Sequence, residues 1–162
     1  MDLLWEMSRL TKEKEVEQII TKAENFELML NELENIDEER LDALVTLREK
    51  LIFNSDNPKL IVTTSRQLAV GTELQIFGKI SGGKKQLEFK AFAHLNTPNY
   101  LFIKVNDAGE DVPIDKLSSL TLKFRPLRQK IVYQFQSIPQ NTVANSLLRI
   151  EHSNKVKIVE EL

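Results

Sequence analysis

The sequence has no cysteine and only two histidines, His94 and His152, among its 162 residues. Without thiols, the chain has no disulfide framework, no thiolate zinc site and no cysteine nucleophile. Two histidines so far apart in sequence offer little for a histidine-based metal site or a catalytic triad. The paired carboxylates at Glu38-Glu39 and Glu160-Glu161 are explained by surface solvation. We therefore expect a non-enzymatic protein with no catalytic residues, no metal and no cofactor.

Long apolar runs are also missing. No stretch approaches the roughly 18 apolar residues that a membrane helix needs, and the N-terminus has no basic region followed by an apolar block. We therefore expect no membrane partner and a cytoplasmic location. With 41% hydrophobic residues, a chain of this length suits one ordinary globular domain or two smaller sub-structures.

Charge is distributed unevenly along the chain. Residues 1–57 hold 15 acidic and 7 basic residues, whereas residues 58–162 hold 9 acidic and 15 basic residues. The two parts of the chain therefore carry opposite net charge. They are suited to bind different partners or to dock against each other. The same division also arises when helices favour Glu and exposed strands favour Lys, so both interpretations stay open.

The first predicted domain, residues 1–57, is an acidic helical arm. It contains neither Gly nor Pro as far as Phe53, and its apolar residues recur at helical spacing. Asp37 is suited to cap a second helix, which predicts an antiparallel helical hairpin. One apolar stripe requires a covering surface: the second helix, the barrel or a second copy of the chain, which would give a homo-oligomer. Its members are Val16, Ile19, Ile20, Ala23, Phe26, Leu30 and Leu33.

The second predicted domain, residues 58–162, is a small antiparallel β-barrel, which makes the predicted fold class α+β. The run Asn54-Ser55-Asp56-Asn57-Pro58 marks the boundary, and a first strand is expected at residues 60–63. Beyond it, apolar residues alternate with polar ones, as a sheet with one buried face requires. They are Leu74, Ile76, Leu87, Phe89, Ala91, Ala93, Leu101, Ile103, Val105, Leu120, Leu122, Phe124, Ile131, Tyr133, Phe135, Leu148 and Ile150.

Two turns separate the predicted strands. The run Ser81-Gly82-Gly83-Lys84 lacks the spacing of a phosphate-binding P-loop and is interpreted as a hairpin turn in which Gly supplies a positive φ. Asn96-Thr97-Pro98-Asn99 predicts a second turn.

The densest basic stretch of the barrel surrounds Pro126 and comprises Lys123, Arg125, Arg128 and Lys130. Arginine forks match phosphate oxygens in geometry, so these residues are candidates for contact with a phosphate or an acidic partner. The alternative is a solvated hairpin loop, which the composition favours.

Three aromatic residues, Phe92, Tyr100 and Phe102, lie near Lys90 and Lys104 in the sequence. On an oligonucleotide-binding barrel they would stack against bases. Aromatics at alternate strand positions more often belong to a core, and the acidic half of the chain would be repelled by nucleic acid. Nucleic-acid binding by the basic half is therefore the alternative function.

Several barrel segments share their order and apolar spacing with a known family. They include residues 68–74 with Gly71, residues 99–105 beginning before Tyr100, residues 120–125 with 132–137, and residues 146–150. Over roughly residues 66–157, the chain resembles the N-terminal barrel of the bacterial flagellar brake family, which precedes a PilZ domain in cyclic di-GMP receptors. The resemblance implies a PilZ-like adaptor or regulatory module that acts through a protein partner in bacterial motility or cyclic di-GMP signalling.

The dinucleotide-binding elements of that family are missing. The family carries Arg-x-x-x-Arg and Asp-x-Ser-x-x-Gly after the final barrel strand, whereas this chain continues there as Lys155-Val156-Lys157. Arg125 and Arg128 have the wrong spacing and occur before the expected place. We therefore do not expect cyclic di-GMP to bind by the usual site.

Overall fold

In the computed structural model, the chain forms two compact units, Met1–Phe53 and Asn54–Leu162. The structure describes residues 26, 43–44, 46–48, 50–51, 53–106, 113–144 and 146–162, with only the backbone for residues 141–144. The predicted boundary between residues 57 and 58 lies in the run that begins at Asn54.

In the first unit, Phe26 is fully buried and contacts two other described residues. The ring of Phe53 meets it edge-on at 5.6 Å between centroids. The guanidinium of Arg48, itself buried, lies 5.9 Å from the centre of the Phe26 ring. Most of the predicted arm, including Ile20 and every other stripe residue except Phe26, lies outside the described residues. The predicted self-association through the stripe therefore stays a prediction.

The second unit contains one antiparallel sheet of eight strands, which curls into a half-barrel. The strand order across the sheet is β6-β7-β3-β2-β1-β4-β5-β8, so β6 and β8 form its edges. The strands are β1 (Glu73–Ile80), β2 (Gln86–Asn96), β3 (Tyr100–Val105), β4 (Leu117–Phe124), β5 (Ile131–Ser137), β6 (Pro139–Ala144), β7 (Leu147–Glu151) and β8 (Lys157–Glu161).

The core covers the inner face of this sheet, and the predicted alternation is confirmed in β1 to β5 and in β7. Successive side chains of a strand point to opposite faces, so one apolar set is buried while its neighbours face outward. The aromatic centre of the core is Phe124, whose ring stacks on Tyr133 at 5.4 Å and meets Phe135 edge-on at 6.1 Å. Each fully buried side chain of this size stabilises the fold by about 1.5–3 kcal/mol.

The predicted α+β fold class, a helical hairpin followed by a barrel, is wrong. The described residues are mostly antiparallel strand, contain no helix of seven or more residues and form no helical hairpin. The physical reason lies in the curl of the sheet. Side chains of its inner face pack on one another, so this core needs no helical layer to cover it.

The predicted strand at residues 60–63 does not form. Leu60 and Val62 are buried as a strand would have buried them, but the segment bonds to side chains rather than to a neighbouring strand. The backbone N–H of Thr63 donates to Oε1 of Gln67 at 2.9 Å. Gln67 itself lies in a short 3-10 helix, Ser65–Gln67, capped by the hydroxyl of Thr64.

Both predicted turns are confirmed by the strand boundaries. Gly82 has a φ of +73° between β1 and β2, a conformation that other residues rarely adopt. Between β2 and β3, the hydroxyl of Thr97 donates to the carbonyl of Tyr100 at 2.9 Å. Each turn reverses the chain as an antiparallel sheet requires.

Gln129, in the loop between β4 and β5, is buried and joins this loop to the segment before the sheet. Its amide nitrogen lies 3.2, 2.8 and 2.8 Å from the carbonyl oxygens of Ser55, Asn57 and Leu60. Its Oε1 accepts a hydrogen bond of 2.7 Å from the hydroxyl of Tyr133. The Gln129 side chain therefore provides hydrogen-bond partners both for carbonyl groups before the sheet and for the hydroxyl of Tyr133 in β5.

Replacing Gln129 with Ala should lower the free energy of unfolding by about 2–4 kcal/mol, because it leaves several buried polar groups without a partner. Urea denaturation followed by circular dichroism measures this change. Gln86→Ala, on an exposed side chain of β2, is the matched control and should leave the midpoint unchanged. Equal midpoints for the two variants would show that the amide contributes nothing.

Burial raises the pKa of the Tyr133 phenol, and a backbone hydrogen bond with Val62 lowers it to a smaller extent. The native state therefore favours the neutral phenol more than the unfolded state does. This difference contributes to the free energy of unfolding. The contribution is fully present below about pH 10, the ordinary pKa of a phenol, and is lost as the pH rises further.

We expect the wild-type protein to lose stability above about pH 10, and Tyr133→Phe to lose less over the same interval. Urea midpoints at several alkaline pH values measure the two slopes. Phe102→Leu, at a half-buried position of the opposite sheet face that carries no titrating group, should retain the wild-type slope. A Tyr133→Phe slope equal to that of the wild type would contradict the assignment.

Candidate functional site

The outer face of the sheet is polar and carries the candidate site. Across five adjacent strands, the register aligns outward-facing residues in the order Lys90, Gln75, Lys123, Gln134 and Lys157. Neighbouring strands lie about 4.8 Å apart, so lysines two strands apart lie about 10 Å apart. We call this alignment the lysine row.

Lys123 lies at the middle of the row and also contacts an aromatic ring. Its ammonium group is 5.3 Å from the centre of the Phe77 ring. At the end of the row, Lys90 pairs with Glu73 at 3.3 Å, but both side chains are largely exposed, so the pair contributes little to stability.

A trough of about 700 Å³ lies beside the lysine row on the same face. Register places Phe77, Thr121 and Gln136 next to one another across β1, β4 and β5, and all three line it. On its far side lies the segment that joins β7 to β8. The trough therefore combines side chains that are distant in sequence.

The trough is lined by three exposed lysines, Lys79, Lys155 and Lys157. Glu151 is the acidic residue of its lining, and its carboxylate accepts a hydrogen bond from the side-chain amide of Gln140. The lysines give the trough a positive potential, so it is suited to an anionic ligand.

His152 holds the segment between β7 and β8 in place. Its Nε2 lies 2.6 Å from the carbonyl oxygen of Thr97, and its Nδ1 lies 2.9 Å from the hydroxyl of Ser65. A carbonyl only accepts, so Nε2 carries a proton and donates to Thr97, while Nδ1 shares a hydrogen bond with the hydroxyl of Ser65. The Ser65 hydroxyl also accepts from the backbone N–H of Ser153 at 2.9 Å.

A hydrogen-bonded Ser and His can constitute an activated nucleophile, but this pair is closed to substrates. Ser65 has 0% exposure, so a substrate atom cannot approach its hydroxyl. The sequence did not indicate this pair, because its members are separated by 87 positions and belong to no motif. Within the described part of the chain, no group of His, Asp and Glu is placed to hold a metal ion.

No family model, curated protein or solved structure matches this chain. The flagellar brake resemblance therefore remains a prediction. None of the helices formed by the described residues has the length and apolarity needed to cross a bilayer.

The four basic residues predicted as a site are only partly brought together. Lys123 and Arg125 line a second, smaller groove of about 320 Å³, together with Glu73 and Leu162. Arg128 and Lys130 are exposed in the loop between β4 and β5, outside the lining of either groove. Pro126 and Gln129 of that loop are buried, which directs its charged residues toward solvent.

Ser65→Ala should release the segment beside the trough, because the N–H of Ser153 and the ring of His152 each lose a partner. We expect a global cost of about 1–3 kcal/mol and faster amide hydrogen exchange at residues 153–156. Hydrogen exchange read by mass spectrometry measures the local effect. Ser81→Ala, in an exposed turn, is the control, and unchanged exchange in Ser65→Ala would contradict the assignment.

Proposed function

We propose that this chain is a non-enzymatic adaptor or regulatory module that binds an acidic segment of a partner protein in the trough. The observation that carries the proposal is the convergence of exposed lysines from β1, β8 and the segment before β8 around a polar cleft. Carboxylates of a partner would meet Lys79, Lys155 and Lys157 there.

The chemistry of the trough supports a protein ligand. Its lining includes Ser119, Thr121 and Gln136, whose hydroxyl and amide groups can both donate and accept hydrogen bonds. These groups are suited to the backbone of an extended peptide. Single exposed ion pairs contribute only about 0.2–1 kcal/mol, so recognition depends on several lysines acting together.

Burial of the Ser65 hydroxyl supports the non-enzymatic part of the proposal, because the Ser–His pair serves to position the trough rather than to attack a substrate. The wider setting in bacterial motility or cyclic di-GMP signalling rests on the flagellar brake resemblance of residues 66–157. Under this proposal the chain acts there through its partner and not through the dinucleotide site of the family.

The double variant Lys79→Glu with Lys157→Glu tests the trough. Binding of a fluorescein-labelled, glutamate-rich peptide, followed by anisotropy, should weaken at least about tenfold, which corresponds to about 1.4 kcal/mol. Wild-type affinity should fall as salt rises, because screening weakens exposed charge pairs. The matched control is Lys84→Glu with Lys85→Glu, which makes the same charge change in the exposed turn between β1 and β2.

Equal weakening by both double variants would show a response to net charge alone and would contradict a specific trough. A second experiment tests the role in motility. In a motile bacterium that encodes the protein, the trough variant should change swimming in the same way as deletion of the gene. Unchanged swimming after deletion would remove motility from the proposal while leaving the peptide result intact.

A further inference from the structure

A second group of side chains lies on the outer face of β2, β3 and β7, outside the lining of the trough. Phe92, Tyr100 and Phe102 are half-buried there and do not belong to the core. The interpretation of these rings as core residues is therefore wrong, because their strands bury the alternate set, which includes Leu101 and Ile103. Each ring retains a part that is open to solvent.

Register places cations directly beside these rings. Lys104 is opposite Phe92 across β2 and β3, and Arg149 is opposite Phe102 across β3 and β7. The register between β2 and β3 shifts between Ala93 and Leu95, so Phe102 is opposite Leu95, and Phe92 and Phe102 lie on either side of this irregularity. We call Phe92, Tyr100, Phe102, Lys104 and Arg149 the aromatic patch.

Arg149 enlarges the flat surface of the patch. Its guanidinium carbon lies 4.6 Å from the centre of the Tyr100 ring. Its Nε is buried and has no hydrogen-bond acceptor among the described residues. The guanidinium is thus positioned by stacking on a ring, and it keeps its charge available to an anion.

Among the residues that the structure describes, the two acidic groups opposite the patch in the register have other partners. Glu73, opposite Phe92 in the register, pairs with Lys90, and Glu151, opposite Tyr100, accepts from Gln140. Their charges are therefore partly offset locally. The patch as a whole offers flat rings and positive charge side by side on a sheet surface.

We propose that the aromatic patch binds single-stranded nucleic acid. Bases would stack on Phe92 and Phe102, while phosphates would lie against Lys104 and Arg149. Stacking needs an unpaired base with an accessible face, which a duplex does not present, so a single strand is the ligand that fits. This site goes beyond the adaptor function, and none of its five residues belongs to the lining of the trough.

The test measures anisotropy of a labelled single strand of mixed sequence, as RNA and as DNA, with the full chain. The wild-type protein should bind, with an affinity that falls as salt rises, and should bind the matching duplex more weakly. Phe102→Ala should weaken binding at least about fivefold, the lower range for loss of one stacked base. Phe77→Ala, which removes the half-buried ring of the trough, is the matched control and should change binding by less than about twofold.

A second pair of variants keeps the test valid if Phe102→Ala fails to fold. Lys104→Glu and Lys79→Glu make the same charge change at exposed positions inside and outside the patch, and only Lys104→Glu should weaken binding strongly. Absence of salt-dependent binding would overturn the inference. Equal losses of affinity within either pair of variants would also overturn it, because binding would then depend on net charge or on fold alone. Displacement of the strand by the glutamate-rich peptide would overturn it as well, because the strand would then occupy the trough.

Discussion

Burial of a single sheet face is the constraint on which the rest of this unit depends. Strands β1 to β5 and β7 each place one set of side chains in the core, as Leu74 and Ile76 do in β1, and the curl of the sheet brings these sets together. The alternate set must then face outward. Because the core is completed from within, positions such as Phe77 and Lys123 need not contribute to it, and their polar or aromatic chemistry is available for binding.

Polar side chains fix the segments that the sheet itself cannot hold. Gln129 satisfies carbonyl groups of the chain before β1, and His152 joins the segment before β8 to Ser65 and Thr97. These residues replace strand pairing where the backbone leaves the ladder. The contacts of His152 hold the segment that carries Lys155, so the shape of the trough depends on hydrogen bonds between that segment and the rest of the unit.

Six of the eight strands could be predicted, because each carries a period-two apolar set. The edges β6 and β8 could not: β8 is exposed at every position, so nothing in Lys157–Glu161 marks a buried face. For the site, Lys123 and Arg125 were found as neighbours in sequence, whereas the lysine row and the trough arise from strand register, which no single strand reveals.

The edge strand β8 also limits how this sheet can grow. A free edge offers unpaired backbone groups to any extended chain. Here, the register against β5 shifts between Val132 and Tyr133, and charged side chains at Lys157, Glu160 and Glu161 crowd a strand of five residues. A further strand that added to β8 could not form a regular ladder of hydrogen bonds past this register shift. It would also lie beside both positive and negative side chains. Uncontrolled stacking of copies into fibres is thereby disfavoured, even though the inner strands are rich in β-branched and aromatic residues.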